Sequence, residues 1–390
     1  MNHPLSGLRV LDLSRVLAGP FAGRMLADLG ADVVKIEPPD GDVTRLWGRR
    51  IGGIAGYFNQ QNVGKRDVCI DLSSDGAAAL LIDLARKADV VVENFRPGVM
   101  DRLGIGWETL HAANPRLVMV SISGFGQGGP ESHRPAYAPI IHAESGVVAR
   151  AAEFSGGTPG ELPLSVADTN AALHGLVGLL AALFRREQTG RGDHVDIAMI
   201  DAMIATDDHL HYALEEAEDL RPMQSEVWAT GAGPIMVSGD FRHIWKTITQ
   251  VFGVEDPTPA GASLEDKIAH RRAAAGSFFA SLDDEQAVVG VFEKMNMAWG
   301  HVRASRQLTS VSETIRARDS IVEVDDRAGG TRPVVQSPYR FKEADSGARG
   351  PAPHRGEHNA VILREWLELD EAEIEALVES GVLLADQSPA

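Results

Sequence analysis

Short runs rich in β-branched residues alternate with longer helical patterns from Gly7 to about Val120. That alternation is typical of βαβ units, which build a parallel sheet with helices on both faces. The sequence therefore predicts an α/β fold with a doubly wound sheet. The predicted strands are Leu8–Leu13, Asp32–Glu37, Val68–Leu72, Val90–Glu93 and Leu117–Ser123, with helices at about Phe21–Leu29 and Asp75–Lys87.

Ligands of such sheets bind outside the carboxyl ends of the strands. The segments that directly follow the predicted strands are therefore the places to look for chemistry. They are Ser14–Ala18, Pro38–Arg45, Leu72–Ser74, Asn94–Arg96 and the residues from Gly124 onward.

The rest of the chain carries a different pattern. A nearly all-apolar helix is predicted at Ala171–Arg186, and its composition indicates burial on most faces. Another helix is predicted to end near Asp219, and beyond it scattered strands and mixed helices indicate a smaller second domain. Two more helices are predicted at Glu357–Leu367 and Asp370–Ser380, the second with an Asp-x-x-Glu capping box at its start.

Composition places the chain among soluble globular proteins. Its 390 residues, 44% hydrophobic and 24% charged, suffice for two or three domains, and no run approaches the roughly 20 apolar residues that cross a bilayer. The net charge of −18 argues against nonspecific binding to nucleic acid or anionic membrane, because both need a basic surface. The start lacks the features of a signal peptide and Cys69 is the single cysteine, so a cytoplasmic location is expected.

Three familiar motifs do not support the chemistry they suggest. Gly124–Gly129 matches G-x-G-x-x-G, but Pro130 follows where a phosphate-binding helix should begin, which favours a glycine loop over a cleft. Asp207–His211 offers metal-ligand types on a predicted helix, where their spacing does not converge on one ion, so no metal site is predicted. G-x-S-x-G does not occur, which removes the usual anchor of a serine hydrolase.

Asn94–Gly98 follows an apolar strand, at the edge where an open sheet presents its ligand contacts. A simple turn also explains the segment, since asparagine caps and proline and glycine reverse the chain. Arg102 and the cluster Asn62–Arg66 favour a binding role, because they supply donors for phosphates in an otherwise acidic chain.

Asp168 lies in the segment Leu162–Asn170, just before the apolar helix. One interpretation is that it is the N-cap of that helix. The other is that it is a nucleophile, because a carboxylate at the start of a buried helix is accessible yet shielded from bulk water. A carboxylate that attacks a thioester forms a mixed anhydride, which keeps the acyl group activated for return of the thiolate. The local sequence does not separate the two interpretations.

Several motifs in a fixed order resemble the family III CoA-transferases, the CaiB/BaiF type that includes formyl-CoA transferase and carnitine CoA-transferase. The resemblance runs from residue 5 to about 205 and returns at about 330 to 383. The matching pieces are Leu5–Leu13, Ala18–Pro20, Leu29–Pro38, Asn62–Leu72, Ala88–Gly98, Thr189–Gly192 and Gly356–His358.

This resemblance implies a fold, an assembly and a substrate. It implies a Rossmann-like large domain from residues 1–205 and 326–390, a smaller α+β domain from residues 206–325, and an interlocked homodimer. It also implies a CoA-transferase whose substrate is a coenzyme A thioester, with a carboxylic acid as acceptor and no permanently bound cofactor. Neither nucleic acid nor a membrane is an expected partner.

The same resemblance assigns residues to the site. Asp168 matches the catalytic aspartate, which forms an acyl anhydride and then an aspartyl-CoA thioester before CoA passes to the acceptor. Tyr137 is expected near the thioester, and amides near the glycine loop are expected to stabilise the oxyanion. The residues expected to bind coenzyme A are Val16, Leu17, Ala18, Ile70, Leu72 and Ser73 towards adenine and ribose, and Asn94, Phe95, Arg96 and Arg102 towards the phosphates and pantetheine.

Four positions depart from the family pattern. Pro38 and Pro135 replace basic ligands, with Arg134 as a candidate substitute, while Ala138 and His142 replace an acidic residue and a glutamine. Oxalate is therefore a weak prediction for the acceptor. A C4 or C5 dicarboxylate stays open, including transfer of CoA between two carboxyl groups of one molecule.

Two other functions are weighed against CoA transfer. A 2-methylacyl-CoA racemase needs a histidine and an aspartate on opposite sides of an α-carbon, but Tyr137 stands where that histidine would be. A non-catalytic, CoA-binding regulatory subunit would keep the fold without the chemistry, and the presence of Asp168, Tyr137 and Asn94 together argues against it.

Overall fold

The computed structural model describes residues 2–215 and 225–385. Contacts divide the chain into two units, Met1–Asp208 with Arg316–Ala390, and His209–Ile315. The strands are β1 (Arg9–Asp12), β2 (Asp32–Glu37), β3 (Arg50–Ile51), β4 (Ile54–Ala55), β5 (Arg66–Ile70), β6 (Val90–Glu93), β7 (Val118–Ser123), β8 (His194–Ala198), β9 (Ser225–Trp228), β10 (Ile235–Ser238), β11 (Trp299–His301), β12 (Ile321–Asp325), β13 (Thr331–Val335) and β14 (Leu383–Leu384).

Helices cover both faces of the main sheet and build much of the second unit. They are α1 (Ala18–Asp28), α2 (Gly56–Asn62), α3 (Ala77–Lys87), α4 (Val99–Arg102), α5 (Trp107–Ala113), α6 (Ala138–Glu144), α7 (Val147–Ser155), α8 (Val166–Thr189), α9 (Met199–Thr206), α10 (Leu210–Leu214), α11 (Phe241–Phe252), α12 (Leu264–Ala280), α13 (Glu285–Met295), α14 (Leu308–Val311), α15 (Glu313–Ala317), α16 (Asn359–Leu367) and α17 (Glu371–Glu379), with 3₁₀ turns at Val43–Leu46 and Ser305–Gln307.

The first unit is built on a seven-stranded sheet in the order β14–β5–β2–β1–β6–β7–β8. Six of its strands are parallel, and β14 pairs antiparallel with β5 at one edge. The chain starts in the middle at β1, extends outward through β2 and β5, and then crosses to the other side through β6. The strand order therefore reverses between β1 and β6, at the switch point where doubly wound sheets bind ligands. The predicted α/β fold is confirmed.

Helices cover both faces of this sheet, which explains why its strands are rich in apolar residues on both sides. Val10 of β1 faces a cluster that includes Leu26 of α1 and Leu176 of α8. The next residue, Leu11, faces the opposite cluster, which includes Trp366 of α16. Because successive side chains of a strand point to opposite faces, this short strand packs against a helical layer on each side of the sheet.

Helix α8 is longer than the sequence predicts and is buried on one face only. Its buried face is marked by small residues such as Ala171 and Gly175. The opposite face is apolar and exposed, with Val177 67% and Phe184 70% exposed in the single chain. The prediction of burial on most faces is therefore wrong for the single chain. We call this face the apolar stripe; it consists of Leu173, Val177, Leu180 and Phe184.

Helix α8 is also long and apolar enough to cross a membrane, judged by length and composition alone. The expectation that no run approaches the roughly 20 apolar residues of a membrane span is therefore wrong. The helix that replaces the predicted Ala171–Arg186 is 24 residues long. A core helix of a soluble protein passes the same test, and α8 packs against α1, α9 and β7 with its buried face. The apolar stripe is exposed in the single chain.

The helix predicted through Asp207–His211 is interrupted. Helix α9 ends at Thr206 and α10 begins at Leu210, while the Asp207 carboxylate accepts a hydrogen bond from Arg150 Nη2 at 2.7 Å. Asp219, the predicted end of that helix, lies outside the described residues. Within residues 2–215 and 225–385, no group of three or more His, Cys, Asp or Glu is arranged to hold a metal ion.

The second unit has a core of its own. Its antiparallel sheet has the order β11–β10–β9, and the helices α11, α12 and α13 accompany it. Trp228 of β9, Phe279 of α12 and Phe292 of α13 are buried together in this core. Aromatic packing of this kind supplies a large apolar area to a small unit.

Candidate active site

A cavity of about 550 Å³ lies at the switch point of the main sheet, at the carboxyl ends of β1, β2, β6 and β7. Its volume is in the range of small-molecule sites. Each of these strands is followed by a residue that lines the cavity: Arg15 after β1, Pro38 after β2, Asn94 after β6 and Gly124 after β7. The fold thus brings together segments that are distant in sequence.

Asp168 lines this cavity with a half-buried carboxylate. It is the third residue of α8, whose N-cap is Ser165, so the interpretation of Asp168 as the N-cap is wrong. The backbone amides of Ala18, the first residue of α1, and of Ala138, the first residue of α6, act on this carboxylate and favour its charged form. Three helix N-termini therefore converge on one carboxylate, and the partial positive charge of each favours an anion there.

Burial raises the pKa of Asp168 to about 6, although the amides of Ala18 and Ala138 act to lower it. Desolvation is the larger of these two opposed effects. At neutral pH the group is mostly ionised, yet it is more basic and less hydrated than an ordinary aspartate. Such a carboxylate is well prepared to attack an electrophilic carbon.

His142 supports the first turn of α8 from behind the cavity. Its Nε2 accepts the backbone N–H of Ala167 at 3.1 Å, one of the donors that a helix start leaves unsatisfied. The side chain is buried, and burial lowers its pKa, so the neutral ring acts as the acceptor. His142 does not line the cavity. The glutamine that the resemblance leads us to expect here would offer a similar acceptor.

Two arginines at the cavity are available to bind an anion. Arg15 and Arg96 line it, and neither forms an ion pair within the described parts of the chain. Arg134 lines it too, but its guanidinium binds Glu131 at 2.5 Å and Glu144 at 2.6 Å and lies over the Phe125 ring. Arg134 is therefore a poorer substitute for the missing basic ligands than the sequence suggests.

Most of the predicted site residues come together at this cavity, and four do not line it. Leu17 and Ile70 are buried in the core, Ser73 is exposed and hydrogen-bonds to Asp71, and Arg102 is exposed at the end of α4. Ala18 lines the cavity, and its backbone amide acts on Asp168. The predicted residues that do line the cavity are Val16, Ala18, Leu72, Asn94, Phe95, Arg96, Arg134, Tyr137 and Asp168.

Two candidate binding residues were missed from the sequence. Arg15 had a usable signal, because it is a basic residue of an acidic chain in the segment after the first strand. Ser123 also had a signal, because it is the last residue of the predicted strand Leu117–Ser123. The Ser123 hydroxyl is buried at the cavity and has no hydrogen-bond partner among the described residues, so it is free to bind a ligand.

Fold and site define an α/β protein with a shielded carboxylate at the switch point of a doubly wound sheet and with available arginines beside it. The model of the CoA-transferase family III matches residues 5–359. The chain belongs to this family and is a CoA-transferase. The resemblance drawn from its motifs is confirmed.

Relatives match along nearly the whole chain. Acetyl-CoA:oxalate CoA-transferase of Acetobacter aceti is 33% identical over 93% of this chain and 96% of its own. Succinyl-CoA–D-citramalate CoA-transferase of Chloroflexus aurantiacus is 32% identical over 98% of both chains. The crystal structure of a CaiB/BaiF family protein from Brucella suis matches with a TM-score of 0.79 and 28% identity, over 94% of this chain and 100% of that one.

Proposed function

We propose that this enzyme transfers coenzyme A from an acyl-CoA thioester to a dicarboxylic acid, with Asp168 carrying first the acyl group and then CoA. The observation that supports this most is the half-buried Asp168 carboxylate at the switch-point cavity, with the amides of Ala18 and Ala138 directed at it. Two amides at that point can also stabilise an oxygen on which negative charge develops during acyl transfer.

The proposed reaction consists of acyl transfers only. An Asp168 oxygen attacks the thioester carbon, the carbon–sulfur bond breaks, and CoA leaves as a thiolate, which gives a mixed anhydride. The thiolate attacks the Asp168 carbonyl carbon and releases the donor acid, which leaves an aspartyl-CoA thioester. The acceptor carboxylate attacks this thioester and the thiolate leaves again. Attack of the thiolate on the acceptor carbonyl gives the new acyl-CoA and restores the Asp168 carboxylate.

The acceptor is proposed to be a dicarboxylate because the names of both relatives include one, oxalate in the first and citramalate in the second. A C4 or C5 dicarboxylate is the preferred class, and transfer between two carboxyl groups of one molecule is included. Oxalate, which the departures at Ala138 and His142 disfavour, stays in the panel because of the first relative. The racemase alternative is not favoured, since His142 lies behind α8 and holds Ala167.

A cross of donors and acceptors tests this function. Acetyl-, succinyl- and mesaconyl-CoA are each incubated with oxalate, succinate, citramalate, mesaconate and acetate, and the thioesters are separated by chromatography. We expect one dicarboxylate to react at least about a hundredfold faster than acetate. A monothioester of a dicarboxylate, incubated without acceptor, reports intramolecular transfer. Exchange with monocarboxylates alone, or deuterium entering the α-carbon without any acceptor, would refute the proposal.

Replacing Arg15 or Arg96 with methionine is expected to raise KM for acyl-CoA by about tenfold each, because each loses a charge-assisted contact to a phosphate. The kcat should change much less. Steady-state kinetics with an acyl-N-acetylcysteamine thioester, which lacks the phosphates, provide the matched control, and there the variants should equal the wild type. Equal losses with both thioesters would show that these arginines do not bind phosphate. Arg134→Met is expected to have the smaller effect.

Activity is expected to fall about tenfold per pH unit below pH 6, because Asp168 must be ionised to attack. Ionisation of Asp168 acts on stability in the opposite direction: it is expected to raise activity and to lower the free energy of unfolding. Since the folded pKa of Asp168 is about 6 and the ordinary value is 3.8, its contribution to stability is fully present below about pH 4 and is lost as pH rises through 6. The measurement is kcat/KM from pH 5 to 8.

We call the fall of kcat/KM below pH 6 the acid limb of the pH profile. A matched variant checks which group causes this acid limb. Burial raises the pKa of Glu93 to about 7, and Glu93 accepts the N–H of Phe95 beside the cavity at 2.7 Å. Glu93→Gln removes that second titration. If Asp168 sets the limb, the limb near pH 6 persists in Glu93→Gln; its disappearance would assign it to Glu93.

We also propose that a second copy of the chain covers the apolar stripe on α8, in the interlocked homodimer that the family resemblance implies. Four large apolar side chains on one face of a helix are 42–70% exposed in the single chain. Val177→Glu is expected to give monomer or insoluble protein in sedimentation velocity, whereas Val378→Glu, on the exposed face of α17, should leave the dimer intact. A monomeric wild type that floats with lipid vesicles would contradict this.

A further inference from the structure

The turn that leads from β1 to α1 contains a strained residue. Val16 has a φ of 68°, in the left-handed region that a β-branched side chain rarely enters. Residues in such conformations persist only where the surrounding structure holds them, and they cluster at functional sites. Two residues further on, Ala18 directs its amide at Asp168.

A buried ion pair holds this turn by its backbone. Asp42 Oδ2 accepts the N–H of Val16 at 3.1 Å and lies 3.3 Å from Lys35 Nζ. Lys35 Nζ in turn donates to the carbonyl of Ser14 at 2.8 Å. Both side chains are 1% exposed. The other Asp42 oxygen accepts from the N–H and hydroxyl of Thr44, which fixes the carboxylate against the 3₁₀ turn.

Further contacts restrain the turn on its other sides. Asn94 bridges the backbone of Arg15, accepting its N–H and donating to its carbonyl, both at 2.8 Å. Asp12 accepts the N–H of Ser14 at 3.0 Å. A short turn with so many fixed backbone groups has little freedom to redirect the amide that follows it.

We propose that Lys35 and Asp42 are positioning residues for the reaction: the ion pair holds Val16 in its left-handed conformation and so keeps the Ala18 amide on the Asp168 carboxylate. Neither residue is expected to contact substrate, because neither lines the cavity. The cost of burying two charges is offset where they fix a geometry that the chain does not adopt by itself. This inference rests on the proposed role of Asp168 and deepens it.

Asp42→Asn tests the inference through the acid limb of kcat/KM. Without the Ala18 amide, the Asp168 carboxylate loses a group that favours its charged form, and the limb should move up by about one pH unit. Loss of the Asp42 charge alone would move it down, because a negative charge is removed. The charged or titratable groups that share the cavity or lie near Asp168 stay in place; they are Arg15, Glu37, Tyr57, Arg96, Arg134 and Tyr137.

Lys35→Met is the second variant. Together with Asp42→Asn it distinguishes a shift of the acid limb caused by a displaced turn from one caused by the loss of a charge. If charge alone mattered, Lys35→Met and Asp42→Asn would shift the limb in opposite directions. Positioning predicts an upward shift in both, with kcat lowered about tenfold or more. Asp28→Asn is the matched control, because Asp28 forms an equally buried ion pair with Arg24 at the other end of α1. It should leave the limb unchanged.

Val16→Gly provides a rescue, because glycine adopts a positive φ without strain. In the Asp42→Asn background it should return the limb towards the wild-type position. A limb that does not move in either single variant, or one that moves and is not restored by Val16→Gly, would overturn the inference.

Failure of the proposed function has a different signature. A hydroxylamine-trappable adduct that still forms in Asp168→Ala would refute the role of Asp168 itself, whatever the turn variants do.

Discussion

Asp168→Asn is expected to lower kcat by at least about a thousandfold, with the protein folded and acyl-CoA still bound. Asparagine has nearly the shape of aspartate, so the cavity and the amides of Ala18 and Ala138 stay in place. What is lost is the anionic oxygen that attacks the thioester, because a neutral amide oxygen is a poor nucleophile. The KM for acyl-CoA should change little, since the proposed phosphate contacts lie elsewhere.

Two measurements make this prediction specific to Asp168. Incubation with acyl-CoA followed by hydroxylamine or borohydride should mark Asp168 in the wild type and leave the variant unmarked, as read by peptide mass spectrometry. Asp201→Asn changes an exposed aspartate in the first turn of the neighbouring helix α9 and should keep full activity. A wild type without any mark, or a variant with more than about a tenth of the activity, would remove Asp168 from the mechanism.

The same substitution should stabilise the protein at neutral pH, by on the order of 1 kcal/mol. Burial raises the pKa of Asp168, which means that the folded state holds its charged form at a cost. An asparagine carries no such charge. We therefore expect a trade-off, in which replacing Asp168 increases the free energy of unfolding and lowers the activity.

Sequence patterns predicted the central strands well, because strands that are buried on both faces are rich in β-branched apolar residues. The strands Asp32–Glu37 and Val90–Glu93 have the predicted bounds. Strand β8 was not predicted, since His194 and Asp196 interrupt its apolar pattern. Strand β14 has two residues, and its existence depends on pairing with distant β5 rather than on any local signal.

The apolar helix shows a second limit of sequence patterns. An all-apolar run predicts burial without saying what covers each face. In α8 both faces are apolar: the core face carries the buried Leu176 and Leu179, and the opposite face carries Val177 and Phe184, which the single chain leaves exposed. Only the three-dimensional packing separates the face that meets the core from the face that the single chain leaves exposed.

Asp168 illustrates what the sequence left open at the site. The local sequence allowed a helix cap or a nucleophile, and the helix start excludes the cap, because Ser165 holds the cap position. The role of Asp168 as nucleophile stays a proposal. The contacts to Ala18 and Ala138 join segments 30 and more residues away, which no local pattern encodes. Leu17 and Ile70 were assigned by position along the family motif, yet their side chains point into the core.

Gly19→Ala is expected to lower kcat by about a hundredfold or more and to reduce the melting temperature by several degrees. A Cβ at this position would lie 2.1 Å from Ser14 Cβ, far inside van der Waals contact. Ser14 cannot yield easily, because its N–H and hydroxyl are both held by Asp12. The clash must therefore push α1 away from the β1–α1 turn, and the amide of Ala18 at the start of α1 moves with it.

Two control variants separate this effect from a general cost of alanine in a helix. Gly290→Ala adds a Cβ inside α13, where no neighbouring atom lies within 4 Å, and should raise stability by about 0.5–1 kcal/mol with activity unchanged. Ser14→Gly combined with Gly19→Ala removes the clashing Cβ and should recover much of the lost kcat. If Gly19→Ala alone retained full activity, α1 would not need its close approach to the turn, and the Ala18 amide could not be the contact that sets the reactivity of Asp168.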